Sequence, residues 1–260
     1  MRIKTLIVGY ALALALFLFA QRHPDAASPS EFHEVVDLTH SFENQAPDPV
    51  VVRNATYRLQ TVAKLERESL HSNSLLEQFG TRLEAPSGFA AGLWTVDQIP
   101  AERLVAPLAV VDVTANTLGQ PDYQISIEDI VAWERVHEQI PLGAVVIART
   151  GWDSRWASAA DYRNADSKGV MHFPGYSEDA VKFLVQGRNA LGLGIDTMRL
   201  DHGSSKDFPI RQFALAHSVY ELDNVTNLDR APVAGGMIVV APAKMQNRSI
   251  SPVRILALSH

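Results

Sequence analysis

Cysteine is missing from this 260-residue chain, which excludes disulfides, thiolate metal ligands and a cysteine nucleophile. Runs of Lys and Arg that contact phosphate backbones are missing too, and the formal net charge is −6. Nucleic acid is therefore not expected as a partner. There is no Gly-x-Ser-x-Gly turn of a serine hydrolase, and "GLGID" lacks the third glycine of a dinucleotide-binding turn. The composition, 47% hydrophobic and 20% charged, is that of a globular protein with a sizeable core.

The amino terminus carries an apolar run, in which Arg2 and Lys4 precede uncharged residues from Thr5 to Ala20. A basic start followed by a short apolar segment is typical of a secretory signal, and the run is slightly short for a membrane span, which needs about 20 residues. We predict that residues 1–20 are a signal peptide and that the protein is exported, to the periplasm or the medium. The alternative is an N-terminal membrane anchor through residues 5–20. Residues 21–32 are predicted as a linker, and residues 33–260 as one domain.

Apolar, β-rich runs alternate with amphipathic segments along the predicted domain. Strands are predicted after residue 33 and at 104–113, 143–150, 190–196, 235–245 and 251–259. Helices are predicted after Ser126 and Ser177, because each serine precedes acidic residues and an apolar stripe. The mixed stretch 60–80 is predicted as a long loop or short helix. The alternation is not regular enough for a (β/α) barrel, so we predict a single α/β domain with a mixed sheet.

Several stretches resemble one family when they are taken together. The loop Gln78-Phe-Gly80-Thr81-Arg82-Leu-Glu84-Ala-Pro86-Ser-Gly88 is similar to the loop His-x-Gly-Thr-His-x-Asp-x-Pro-x-His of the cyclase family, which includes bacterial kynurenine formamidase and isatin hydrolase. Matching segments in the family order are "DLTH", "WTVDQIP", "IARTGWD", "GVMHFPGYSEDAVKFL", "GIDTMRLDHGSSKDFP", "NVTNLD" and "SPVRILAL". The resemblance implies the family's swivelling β/β/α-type fold from about residue 33 onward.

The same resemblance implies a metal site whose usual ligands are absent from this chain. In the family, the first two histidines and the aspartate of the loop, with a later histidine and glutamate, bind zinc or manganese, and the third histidine of the loop handles protons. On this chain these ligand positions hold Gln78, Arg82, Glu84, Arg211 and Asp223, and the proton-handling position is Gly88. An arginine about 4 Å from a divalent ion is repelled by roughly 8 kcal/mol at an effective dielectric of 20. We therefore predict no bound metal and no cofactor.

The charges at these positions suggest what replaces the metal. The charges of two guanidinium groups and two carboxylates sum to zero without any metal ion. We hypothesise that Arg82 and Arg211 occupy the electrostatic position of the metal and pair with Glu84 and Asp223. The alternative is drift after loss of function, with each arginine turned out to solvent.

The predicted catalytic residues are therefore Glu84, Arg82, Arg211 and Asp223. Candidate substrate contacts lie in the loop or shortly after it, in "GVMHFPG" and in the turn after the strand at 190–196: Gln78, Phe89, Trp94, His172, Asp201 and His202. His172 and His202 are alternatively structural. Asp196 is expected to accept backbone hydrogen bonds in a turn, and His40 to be structural.

Three functions are compatible with this sequence. The first is a metal-independent hydrolase of a small cyclic amide, lactone or similar carbonyl compound, in which Glu84 is general acid or base and an arginine stabilises negative charge. The second is a catalytically inactive, exported protein that binds a small carboxylate through its arginines. The third is a metal-dependent amide hydrolase with atypical ligands. A small-molecule partner and a homo-oligomer are expected, the latter by resemblance to the family.

Overall fold

The computed structural model of the protein describes residues 32–41, 59–64, 69–73, 80–89 and 92–259. Residues Glu34–Ser259 form one compact unit. The predicted signal peptide, nearly all of the predicted linker, and Gln78 lie outside the described residues, so export and the role of Gln78 stay predictions. Within the described ranges, no helix combines the length and the apolar character that crossing a bilayer requires.

Twelve strands are present in the described part of the chain, and eight of them form one mixed sheet. Their bounds are β1 Glu34–Asp37, β2 Leu59–Lys64, β3 Ser69–Asn73, β4 Arg82–Glu84, β5 Val105–Asp112, β6 Gln124–Ile125, β7 Val145–Arg149, β8 Gly175–Tyr176, β9 Gly192–Ile195, β10 Tyr220–Asp223, β11 Gly236–Pro242 and β12 Ile250–Ser259. Strands β2 and β3 pair with each other. For residues 60–64 and 69–73 the prediction of a loop or short helix was therefore wrong, because these segments lack the apolar alternation that would have indicated strands.

The main sheet closes on itself through the last strand. The order is β1-β12-β11-β5-β7-β9-β10-β4, and β12 also pairs with β4. Strands β5, β7, β9 and β10 run parallel, and the other pairs in this sheet are antiparallel. The prediction of an α/β fold with a mixed sheet is confirmed. Closure brings β4 next to β10, and this contact positions the candidate site.

Two apolar cores lie on the two faces of this closed sheet. Leu83, Leu108, Ile147, Leu222 and Ile255 belong to the core enclosed by the strands. Ala109 and Ala148, the next residues of β5 and β7, belong to the other core, which also contains helix residues such as Ile130. The helices and helical turns are Thr114–Thr117, Ile127–His137, Ala159–Arg163, Glu178–Lys182 with the π turn Phe183–Gly187, and Pro209–Ala216. The short 3₁₀ turns are Pro86–Gly88, Val96–Gln98, Ala101–Arg103 and Trp152–Arg155. As predicted, Ser126 and Ser177 cap their helices through side-chain hydrogen bonds.

His40 is held as a neutral ring between the sheet and Trp156. Its ring stacks on that of Trp156 at 3.8 Å, its backbone N–H donates to Thr81 Oγ1, and its buried Nε2 has no hydrogen-bond partner. Burial lowers the pKa of His40 to about 4. These contacts agree with the expected structural role.

We expect His40 to make the fold acid-sensitive. Because its pKa is lower in the folded than in the unfolded chain, the stabilisation is complete above the unfolded pKa of 6.5 and is lost as pH falls towards 4. Between pH 7 and 4.5 this removes about 2 kcal/mol of unfolding free energy. In His40→Phe, which keeps a stacking ring, denaturant unfolding at the two pH values should show that much less acid destabilisation. The exposed His33→Phe is the control, and an unchanged pH dependence in His40→Phe would contradict the assignment.

Candidate active site

Four charged residues lie on the outer face of the strand pair β4 and β10. Leu83 and Leu222 point into the enclosed core, so strand alternation places Arg82, Glu84, Glu221 and Asp223 on the opposite face. The register sets Glu84 directly opposite Glu221 and Arg82 directly opposite Asp223. All four side chains are buried. The local geometry thus follows from two short segments, "RLE" and "YELD", paired antiparallel.

Arg211 bridges the two glutamates that face each other across the strands. It is carried by the helix Pro209–Ala216, its Nη2 contacts Glu84 Oε2, and its Nε lies 3.0 Å from Glu221 Oε2. Like charges directly opposite in a sheet repel each other. A guanidinium shared between them compensates both carboxylates, since it offers several donors in a fixed plane.

Arg82 makes the second ion pair of this face. Its Nη2 lies 2.8 Å from Asp223 Oδ2 and also contacts the carbonyl oxygen of Met198. Burial and the neighbouring Glu221 raise the pKa of Asp223 well above its usual value. The hypothesised pairing of both arginines with these carboxylates is thus what the structure contains, with Glu221 as an additional acid. The alternative of solvent-exposed arginines does not describe them, since their side chains are 7% and 17% exposed.

Asp201 and Arg199 complete the charged cluster. Asp201 accepts from the backbone N–H groups of Ile210 and Arg211 at 3.0 and 3.1 Å, so it caps the helix that carries Arg211. Burial raises the pKa of Asp201 to about 6. Burial also lowers the pKa of Arg199, which lies within the electrostatic influence of Asp201, Asp223 and Glu221. The predicted balance of two arginines and two carboxylates is therefore extended by Glu221 and Asp201, which are acidic, and by Arg199, which is basic.

Glu84 occupies the space in front of Gly88. A Cβ atom built on Gly88 would overlap Glu84 Oε1, and Gly88 itself is exposed. By the resemblance, position 88 is where the family has its proton-handling histidine. A carboxylate oxygen of Glu84 thus reaches the place where a side chain at position 88 would begin.

The two predicted histidines lie in a separate polar group. His172 Nδ1 is 2.7 Å from Asp122 Oδ2, and His202 Nδ1 is 3.0 Å from Ser204 Oγ. Asp122 raises the pKa of His172, whereas burial lowers that of His202. Ser204 Oγ is 3.4 Å from Asp122 Oδ1, which joins the two pairs.

The predicted aromatic contacts have different surroundings. Phe89 is 42% exposed, and its ring lies 5.3 Å from the guanidinium carbon of Arg211. Trp94 packs against the enclosed core, with Arg103 at 5.2 Å over its ring. Phe89 thus borders the charged cluster, whereas the contacts of Trp94 are those of a packing residue. The substrate-binding roles of both stay predictions.

Asp196 has the structural role expected from the sequence. Its carboxylate accepts from the backbone N–H groups of Thr150, Gly151 and Trp152 at 2.7 to 3.1 Å. Burial raises its pKa to about 7. It therefore fixes the turn that follows β7.

Sequence reasoning missed Glu221, Arg199 and Phe208, whose ring lies 5.8 Å from the guanidinium carbon of Arg211. Glu221 had a signal, because "YELD" alternates apolar and acidic residues and so places Glu221 on the same face as Asp223. Arg199 and Phe208 had none, since they lie outside strands and reach the cluster only through the folding of the chain between β9 and the helix Pro209–Ala216.

The residues present do not fit a divalent metal. Glu84 and Asp223, the two carboxylates at the family's ligand positions, each contact a guanidinium group, and arginine does not lose its proton under ordinary conditions. In the part of the chain that the structure describes, no three His, Asp or Glu side chains are arranged to hold an ion.

Comparison with known proteins agrees with this fold. The family model "Putative cyclase" matches residues 36–202. The chain belongs to the cyclase family. An isatin hydrolase of Roseibium aggregatum is 32% identical over 190 residues, which are 70% of this chain and 72% of that protein. Isatin hydrolases are hydrolases by name, so the predicted assignment to a family of hydrolytic enzymes is confirmed.

Solved structures of relatives extend the likeness to nearly the whole chain. Isatin hydrolase A from Labrenzia aggregata, bound to benzyl benzoate, has a TM-score of 0.81 and 31% identity, and the match covers 87% of this chain and 93% of that one. The enzyme from Ralstonia solanacearum has a TM-score of 0.80 and 30% identity over 87% and 92%. An isatin hydrolase bound to the product analogue thioisatinate has a TM-score of 0.80 and 26% identity over 99% of both chains.

Proposed function

We propose that this cyclase-family protein is a hydrolase of a small cyclic amide, lactone or related carbonyl compound, and that it works without a metal. One observation carries the proposal: Glu84 Oε1 lies where the side chain of residue 88 would begin, beneath an exposed glycine. A carboxylate beside position 88 can accept and donate the proton that, as the resemblance implies, a histidine at this position transfers in the family. The likeness to isatin hydrolases supports a cyclic carbonyl substrate.

In this proposal Glu84 and Arg211 divide the chemistry. Glu84 Oε1 accepts a proton from water as the water oxygen bonds to the substrate carbonyl carbon, and the carbonyl oxygen becomes an oxyanion. When this intermediate collapses, the ring C–N or C–O bond breaks, and Glu84 gives its proton to the leaving nitrogen or oxygen. The second oxygen, Oε2, is held by Arg211 Nη2, which fixes the carboxylate during both transfers.

Arg211 is the group that stabilises the oxyanion. Its Nε and Nη2 bind Glu221 and Glu84, and no described residue accepts a hydrogen bond from its Nη1. A donor already oriented by two carboxylates needs no reorganisation as negative charge develops. Arg82 lies two residue pairs further along the strands, where it compensates the charge of Asp223.

The alternative of an inactive carboxylate-binding protein is less well supported by these contacts. Both arginines that would hold such a ligand already contact internal carboxylates. An incoming carboxylate would have to compete with Glu84 and Glu221 for the same guanidinium.

Turnover of a panel of cyclic amides and lactones, beginning with isatin, tests the proposal. We expect hydrolysis of at least one compound, with a rate that is unchanged after extensive chelation and after addition of Zn²⁺ or Mn²⁺. Loss of activity on chelation that the metal restores would contradict metal independence. Binding without turnover across the panel would instead support the inactive alternative.

A further inference from the structure

Two arginines and three phenylalanines alternate beside the charged cluster. The guanidinium carbon of Arg211 lies 5.3 Å from the ring centre of Phe89 and 5.8 Å from that of Phe208. The guanidinium carbon of Arg199 lies 4.9 Å from Phe208 and 5.0 Å from Phe173. We call this series, Phe89–Arg211–Phe208–Arg199–Phe173, the arginine–phenylalanine stack. Phe208 is its central member and contacts both cations.

Phe208 holds this place in an unusual backbone conformation. Its φ and ψ are 50° and 48°, the left-handed region that bulky side chains avoid. Of the eight non-glycine residues with positive φ in the described part of the chain, five are asparagines and Phe208 is the only apolar one. Strain of this kind persists only where the surroundings enforce it, and it is concentrated at functional sites.

The surroundings that enforce it are those of the candidate active site. Phe208 is the N-cap residue of the helix that carries Arg211, but its side chain makes no capping hydrogen bond. Asp201 supplies that cap instead, through the N–H groups of Ile210 and Arg211. The ring of Phe208 is thereby available to lie between two guanidinium groups, which would repel each other if nothing separated them.

We propose that Phe208 is a positioning residue that keeps Arg199 and Arg211 apart and sets the direction in which Arg211 presents Nη1. The proposal rests on the proposed function in one respect, since it takes Arg211 as the group that stabilises the oxyanion. The position of the Arg211 side chain, in contrast, does not depend on whether Arg211 stabilises an oxyanion. Glu221 fixes Arg211 Nε at 3.0 Å, and the rings of Phe89 and Phe208 limit rotation of the guanidinium plane.

Chemical modification of arginine with phenylglyoxal tests the positioning without any substrate. In Phe208→Leu, which keeps an apolar side chain but loses the aromatic face, Arg211 should be modified about fivefold faster than in the wild type. Phe208→Tyr retains the ring and should react at the wild-type rate. Phe183→Leu is the matched control, because Phe183 stacks on Arg188 at 4.3 Å outside the site. Adducts are assigned by peptide mass spectrometry. If Arg211 in Phe208→Leu is modified at the same rate as in the wild type, the proposal is overturned.

Steady-state kinetics on a substrate from the panel give the second readout. Phe208→Leu should lower kcat about tenfold with little change in KM, because a misplaced donor loses transition-state contacts while binding is retained. Phe208→Tyr should restore kcat. A fall in melting temperature with unchanged kcat would show a purely structural role and contradict the proposal. If no panel compound is hydrolysed, the proposed function fails, and the modification rates still decide the role of Phe208.

Discussion

Replacing Arg211 with alanine is expected to lower the melting temperature by about 10 °C. The guanidinium bridges Glu84 and Glu221, which are paired directly opposite each other in the sheet. Without it, two buried carboxylates face each other with no shared cation, and removing one partner of a buried ion pair costs about 3–5 kcal/mol. Thermal unfolding followed by circular dichroism measures the effect.

Two further variants separate charge from packing. Arg254→Ala removes an arginine that also pairs with a carboxylate, Asp37, but whose side chain is 64% exposed, so the loss should be at most about 1 kcal/mol. Arg211→Met retains much of the side-chain volume without the charge and should be nearly as unstable as Arg211→Ala. A melting temperature of Arg211→Ala close to that of the wild type would show that no buried bridge exists.

Glu84→Gln is expected to lower kcat by about 10²–10⁴-fold on any compound that the wild type hydrolyses. The amide keeps the shape and the polar contact to Arg211 but cannot accept a proton at Oε1. Circular dichroism establishes that the variant is folded. Glu34→Gln, at an exposed position on β1, is the control and should retain full activity. Activity of Glu84→Gln within a few-fold of the wild type would remove Glu84 from the mechanism.

Gly88→Ala tests the same carboxylate from the other side. The added Cβ would overlap Glu84 Oε1, so the carboxylate must move and activity should fall although Glu84 is intact. Combining Gly88→Ala with Glu84→Asp shortens the acid and relieves the overlap. The double variant should therefore lose less stability than the sum of the losses in the two single variants, since the effects of substitutions at residues in contact are not additive. Strict additivity would contradict the overlap.

The fold was predictable from the sequence wherever apolar runs were long. The strands at 105–112, 145–149 and 236–242 and the helix after Ser126 have continuous or periodic apolar patterns and clear caps. The closure of the sheet between β12 and β4 was not predictable, because β4 has three residues and its two partners are separated from it by more than a hundred positions along the chain. Such pairing is decided by tertiary packing rather than by local pattern.

The candidate site was predictable in its charges but not in its connections. The arginines at 82 and 211 were recognised because they stand where the resemblance implies metal ligands, and a buried arginine requires a carboxylate partner. The partner of Arg211 was predicted incompletely. Glu221 was overlooked, although strand alternation in "YELD" indicates it. Phe208 reaches Arg211 and Arg199 only because its own backbone is left-handed, and no local sequence pattern indicates that conformation.

Metal analysis of the purified protein tests most directly whether guanidinium groups stand where the family resemblance implies a metal. The chain is purified without added metal, dialysed, and analysed by plasma mass spectrometry for zinc, manganese and other divalent ions. The arrangement of Arg82, Glu84, Arg211 and Asp223 predicts far less than one equivalent of any of them per chain. One tightly held equivalent of zinc or manganese would contradict it.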